Sequence, residues 1–129
     1  MSVQIHEVKG YEDYNITVNN LKVLNEPLYC WFMGARVNGH SWCGDCRDSE
    51  PVIKDYLNSL KLTANINVVC AEVDREDFRS PECKFKCDES INLLKVPTLF
   101  YPSLKKKLVE RDCMDTLKLD SFFSDVSRD

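Results

Sequence analysis

No stretch of this sequence is apolar for long enough to cross a bilayer, so no membrane-spanning helix is expected. The first ten residues carry His6, Glu7 and Lys9 and lack the continuous apolar core of a secretory signal. Positive charge is not in excess: 17 Lys and Arg stand against 21 Asp and Glu, a net charge of −4. With no basic stripe to neutralise phosphates, neither nucleic acid nor anionic membrane is expected as a partner. The densest basic run, Lys105-Lys106-Lys107, is short and reads as a solvated turn or strand edge. Internal repeats, low-complexity tracts and linkers are also missing, and 129 residues suit one domain spanning 1–129. An even cysteine set is absent too. Seven is an odd count in a chain long enough to build a core, which argues against a secreted disulfide scaffold. Mostly free thiols in a reducing cytoplasm are expected.

What is present first is a set of alternating strand and helix signals. Val3 to Val8 alternates apolar and polar as a half-exposed strand does, and Gly10 breaks it. Tyr14, Val18, Leu21 and Leu24 recur at helical spacing between Tyr11 and Leu24, before Asn25-Glu26-Pro27 ends the pattern. Leu28 to Met33 is an apolar run closed by Gly34, the mark of a central strand covered on both faces. After a polar loop containing Gly39, a helical pattern starts at Asp45, with Val52, Ile53, Tyr56, Leu57 and Leu60 on one face. Pro51 within it should bend or break the helix.

Ile66 to Val73 is a second buried strand. Asp74 to Asp88 reads as a charged surface excursion with some helix, and Glu72 to Asp77 as a solvated acidic face. A short helix is expected over 89–94, a strand from Val96 to Tyr101 and an edge strand from Lys106 to Arg111 with Leu108 inward. Asp115 should cap a last helix reaching Val126, with Leu117, Phe122 and Val126 facing in. The order β-α-β-α-β-α-β-β-α gives an α/β fold, a central mixed sheet with helices on both faces.

The chemistry concentrates in Trp42-Cys43-Gly44-Asp45-Cys46. Two cysteines at this spacing serve either zinc or redox exchange. Zinc needs about four ligands. The remaining close pair, Cys83 and Cys87, has wider spacing, so zinc with help from His40 is the weaker reading and no metal site is assigned. A C-x-x-C that follows a buried strand and opens a helix suits a redox pair. Unpaired N–H groups and the helix dipole favour an anion at Cys43, making it the attacking thiol. Cys46, one turn in, is expected to be more buried, less acidic and resolving. Trp42 either offers an apolar surface to substrate or simply packs at the rim. Gly44 and Asp45 tune the pair: the Asp45 carboxylate favours the helix start but disfavours a second anion beside it. Val96-Pro97-Thr98 opens a strand opposite the cysteines and is expected to shape a substrate groove. Its X–Pro bond can be cis or trans.

With these motifs in place, the chain resembles the thioredoxin superfamily. Aspartate before the second cysteine, the long loop from Ala35 to Ser41, Glu50-Pro51-Val52 and Leu108-Val109-Glu110 with Cys113 resemble, more narrowly, the family of thioredoxin domain-containing protein 17. The resemblance covers almost the whole chain. It implies a thioredoxin fold and a cytosolic disulfide reductase acting on small or selected disulfides such as cystine, and on persulfides or nitrosothiols. No cofactor is bound; electrons come from NADPH through thioredoxin reductase, and a monomer is expected. It implies Cys43 as nucleophile, Cys46 as resolving thiol, Pro97 as a cis-proline, and Trp42, Val96 and Pro97 as substrate-facing.

Gly44 stands where the family usually has proline, and Cys83 and Cys87 fall outside its pattern. Cys30 falls where thioredoxin has a buried aspartate, leaving Asp45 or water to carry the proton. Cys30 and Cys70 read as buried small hydrophobes, Cys83 and Cys87 as exposed thiols, and Cys113 as a strand end. His6 and His40 show no evident partner. The competing function is a redox-switched adaptor that docks partners through the long loop and the acidic excursion without turnover.

Overall fold

The computed structural model describes residues 2–128. Its elements are β1 (Val3–Lys9), α1 (Gly10–Lys22), β2 (Leu28–Gly34), β3 (Arg36–Val37), β4 (His40–Ser41), α2 (Gly44–Ser59), β5 (Ile66–Val73), α3 (Arg75–Arg79), α4 (Lys84–Cys87), β6 (Thr98–Tyr101), β7 (Lys106–Val109) and α5 (Thr116–Phe122). The main sheet runs β1-β5-β2-β6-β7. β1 and β2 flank β5 in parallel, while β6 and β7 are antiparallel additions. The apolar runs of β2 and β5 take the middle, where both faces are covered and every β5 residue is buried.

Successive residues of β2 point to opposite faces. On one face Tyr29 lies 4.7 Å, ring to ring, from Phe123 just beyond α5, and Phe123 in turn meets Tyr56 of α2 at 5.6 Å. On the other, Phe32 meets Tyr14 of α1 at 5.3 Å and Phe85 of α4 at 5.7 Å. Helices thus cover both faces of the mixed sheet, as the alternating signals predict. The β2 strand ends at Gly34, which delivers the chain to the sheet's carboxyl end, where open α/β sheets build their sites.

Several local expectations change. The polar loop before Trp42 is a β-hairpin: Asn38 (φ 54°) and Gly39 (φ 82°) supply the two positive angles a tight turn between β3 and β4 requires. Pro51 does not break α2, which runs for 16 residues, anchored by buried Cys46, Ser49, Ile53 and Leu57 on either side of it. The helix predicted over 89–94 is a turn, because the Asp88 carboxylate accepts from the Ser90 N–H at 2.9 Å and hydroxyl at 2.6 Å. Helix forms instead at α3 and α4. α1 stops at Lys22, leaving Leu24 exposed, and α5 stops at Phe122 with Leu117 80% exposed; Leu119 takes the inward place. β7 gives way to a 3₁₀ turn over Glu110–Met114, so Cys113 sits buried in that turn and not at a strand end. Cys83 is buried, its thiol donating toward Asp77 at 3.7 Å, while Cys87 is exposed. His6 has a partner in Asn67 Oδ1 at 2.9 Å.

The largest correction is Glu72, expected on a solvated face but only 5% exposed. Its carboxylate accepts the Arg36 backbone N–H at 2.6 Å and the guanidinium at 3.2 Å. The same guanidinium forks onto Glu50 of α2 at 3.2 and 2.9 Å. Arg36 therefore clamps the β3–β4 hairpin to α2 and β5. Burial raises the Glu50 carboxyl, but the bonds from Arg36 and Lys54 outweigh it and hold its pKa below the ordinary 4.5. A lowered carboxyl contributes stability above its unfolded value and loses it as pH falls through the folded one. Arg36→Ala leaves Glu50 with Lys54 as its cation and the buried Glu72 with its backbone donor alone, and is expected to cost about 2 kcal/mol in urea unfolding at pH 7. The deficit should shrink below pH 4; a loss under about 0.5 kcal/mol would contradict the clamp.

Candidate active site

β2 runs into the site through Gly34, and there is no room at its Cα for a side chain. A Cβ would meet Trp42 Cε2 at 2.8 Å, Ser41 Oγ at 2.9 Å and Cys43 Cβ at 3.0 Å. That close approach lets the Gly34 N–H donate to Cys46 Sγ at 3.3 Å and the Gly34 carbonyl accept from the Ser41 hydroxyl at 2.7 Å. Ser41 Oγ in turn accepts the Cys43 N–H at 3.2 Å, and Arg47 donates to the Ser41 carbonyl at 2.6 Å. The turn that presents the two sulfurs is thus stitched to the end of the central strand.

Cys43 is the residue that caps α2. Its φ of −98° and ψ of 119° are extended, and its sulfur accepts the Cys46 N–H at 3.2 Å. The hydrogen bond from the Cys46 thiol is the largest influence on this sulfur. It and the backbone N–H groups outweigh burial and the Asp45 carboxylate, and the pKa falls to about 7. The sequence leaves the sign of the Asp45 effect open; here the carboxylate opposes the thiolate and loses to the donors. Its charge is also answered by Arg111 at 3.3 Å. The Cys46 thiol is pushed far up, first by its bond to Cys43 and then by burial. Cys43 keeps 9% of its surface and Cys46 1%, so attack is possible only at the outer sulfur. Burial sends the thiols of Cys30, Cys70 and Cys113 upward, to about 11, 12 and 12. Among the described residues, the hydrogen-bond partner of the Cys30 thiol is the Tyr14 hydroxyl at 3.5 Å and not a carboxylate.

The Val96–Pro97 bond is cis, and the Val96 carbonyl lies 3.5 Å from Cys43 Sγ, where the thiol form donates to it. Val96 and Trp42 border a groove of about 630 Å³ that also takes in Cys43, Gly44 and Asp45. Pro97 itself is buried and does not line it. Its carbonyl instead accepts the Glu110 N–H at 2.7 Å, fixing the start of the 3₁₀ turn. Trp42 is half-buried: its Nε1 donates to the Val73 carbonyl at 2.8 Å and its ring meets Phe78 at 5.7 Å. It both packs and faces the groove. Cys83 and Cys87 stay outside. Among the described residues no group of three or more His, Cys, Asp or Glu side chains is placed to hold a metal ion.

Ser41, Gly34, Arg47 and Arg111 carry no motif that marks them, because their roles arise from contacts across the fold. The hairpin had a signal in Asn38-Gly39. If the Cys46 thiol is the chief donor to Cys43, Cys46→Ala should move the Cys43 pKa from about 7 toward the ordinary 9.0. Thiolate absorbance against pH reads this directly. An unmoved midpoint would assign the acidity to the backbone alone.

The family model for thioredoxin domain-containing protein 17-like thioredoxin domains matches residues 7–125. The chain is 32% identical to thioredoxin domain-containing protein 17 of Danio rerio over 82% of this chain and 83% of that protein. It is 27% identical to the Mus musculus protein of that name, over 92% and 93%. Among solved structures it resembles thioredoxin O1 of Arabidopsis thaliana in the oxidised state (TM-score 0.56, 20% identity, 97% and 99% covered). It also resembles a reduced Schistosoma mansoni thioredoxin (TM-score 0.58, 18% identity, 94% and 96% covered). These two likenesses show the thioredoxin fold. With its helix-capping Cys43, buried Cys46 and cis Val96–Pro97, the chain belongs to the thioredoxin domain-containing protein 17-like family of thioredoxin domains.

Proposed function

We propose that this chain is a cytoplasmic thiol–disulfide oxidoreductase that reduces small or selected disulfides, with persulfides and nitrosothiols as further substrates. The observation that carries the reading is the placement of Cys43: a sulfur with lowered pKa at the floor of a groove, its partner one helical turn deeper. The Cys43 thiolate attacks one sulfur of the substrate, the substrate S–S bond breaks, and one thiolate leaves. A mixed disulfide remains. Cys46 then gives up its proton and attacks Cys43 Sγ, expelling the second substrate thiolate and closing a Cys43–Cys46 bond. Two electrons pass from the dithiol to the substrate. NADPH, through thioredoxin reductase, restores the dithiol.

The strongly raised Cys46 pKa makes its deprotonation the demanding part of resolution. Asp45, in the first turn of α2, is the carboxylate nearest in sequence and is proposed as the proton acceptor. Gly44 is exposed and leaves the turn between the sulfurs open.

Cys46→Ser should accumulate a covalent substrate adduct visible by intact mass, and Cys43→Ser none; equal trapping would overturn the roles. The wild type should consume NADPH with cystine and thioredoxin reductase. Capture of partners with no NADPH consumption would favour the adaptor reading. Asp45→Asn should slow decay of the mixed disulfide by roughly tenfold or more, and an unchanged rate would remove Asp45 from proton transfer.

A further inference from the structure

The groove carries more charge than the chemistry at Cys43 uses. Arg75 and Arg79 of α3 line one part of it, and Lys95, beside Val96, lines another. The overall charge of the chain is −4, so a local cationic surface runs against its composition.

α3 presents both of its arginines to the groove. Arg75, Phe78 and Arg79, at the i, i+3, i+4 positions that share a helix side, turn toward the groove. Two neighbouring carboxylates, Asp74 and Asp77, line other hollows. Asp74 lines a separate hollow with Arg36 and Glu72. Asp77 lines another with Glu12 and Lys84, and accepts from the Cys83 thiol.

Among the described residues, neither guanidinium nor the Lys95 ammonium has a carboxylate within ion-pair distance. Of the two groove carboxylates, Asp45 is already answered by Arg111 at 3.3 Å, which leaves Glu110 as the opposing charge. α3 is also held in place: the Lys86 ammonium donates to the Phe78 carbonyl at 2.7 Å and sits 5.1 Å over the Phe78 ring. The influences that set the acidity of Cys43 are its own hydrogen bonds, burial and Asp45. The three cations are therefore free to meet what is attached to the substrate's sulfurs.

We propose that Arg75, Arg79 and Lys95 select net-anionic, low-molecular-weight disulfides, whose carboxylates they hold while Cys43 attacks. This rests on the reductase reading above and adds the substrate's charge class to it. A zwitterionic disulfide, each carboxylate carrying its own ammonium, should rank with neutral ones.

The test uses the Cys46→Ser protein, which stops at the mixed disulfide, with three probes that differ in charge: dithiodipropionate, bis(2-hydroxyethyl) disulfide and cystamine. Adduct formation is followed by intact mass at low ionic strength. Each rate is divided by that of mercaptoethanol with the same probe, which removes leaving-group differences. The dianion is expected to react about tenfold faster than the dication, with the neutral probe between. The gap should close to roughly twofold at high salt. Arg75→Gln with Arg79→Gln should close it likewise, whereas Arg75→Lys with Arg79→Lys should retain it. Equal normalised rates for the three probes, or a gap that survives the glutamine pair, would overturn the charge selection while leaving the reductase reading intact. Failure of even the neutral probe to form an adduct would overturn both.

Discussion

The hydrogen bonds that end on Cys43 Sγ are the constraint on which the rest of the structure depends. A thiol in water keeps its proton at neutral pH. Here the Cys46 N–H donates to one sulfur at 3.2 Å, the Cys46 thiol lowers its pKa further, and that sulfur lies where α2 has N–H groups without backbone partners. The donors overcome two opposing influences, burial and the Asp45 carboxylate. The same contact divides the labour of the pair. The proton that stabilises Cys43 is the proton Cys46 retains, so one sulfur becomes acidic by making the other less so.

This arrangement needs a rigid seat, and the fold supplies it from several directions. β2 ends in the one residue that lets the cysteine turn approach, Gly34, whose N–H reaches Cys46. The β3–β4 hairpin brings Ser41 to bridge Gly34 and Cys43. Arg36 ties that hairpin to α2 and β5 through two carboxylates. On the far side, the 3₁₀ turn after β7 is bonded to the Pro97 carbonyl, which sets the loop carrying Val96 against the sulfur. The ties through Ser41 are local, but those from Arg36 to Glu72 and from Val96 to Cys43 join segments distant in sequence, so the site depends on the sheet being assembled.

That distinction explains what could be read beforehand. The order of strands and helices follows from periodicity, a local signal, and Leu28 to Met33 and Ile66 to Val73 sit in the middle of the sheet as their unbroken apolar runs require. The Cys43–Cys46 pair announces itself because four consecutive residues contain it. Glu72 does not, since a carboxylate in a strand looks solvent-facing until Arg36 folds over it. Cys83 sits among charges in sequence but is buried in space, its thiol donating toward Asp77. Leu117 has helical phase yet lies on the exposed side, because the cap at Asp115 sets the rotation of α5, its carboxylate accepting from the Leu117 and Lys118 N–H groups. Local chemistry misled once in the other direction: Pro51 should interrupt α2, but packing on both sides of it holds the helix continuous.

Function in this account reduces to the ionisation of one thiol, and the pH dependence of its alkylation measures that most directly. With iodoacetamide in excess and the site of labelling mapped by peptide mass, modification of Cys43 should rise to half its plateau near pH 7 and reach it well before Cys46 is touched. A midpoint near 9, the value of an unassisted thiol, or equal labelling of both cysteines at neutral pH, would contradict the claim that the start of α2 holds an anion at Cys43.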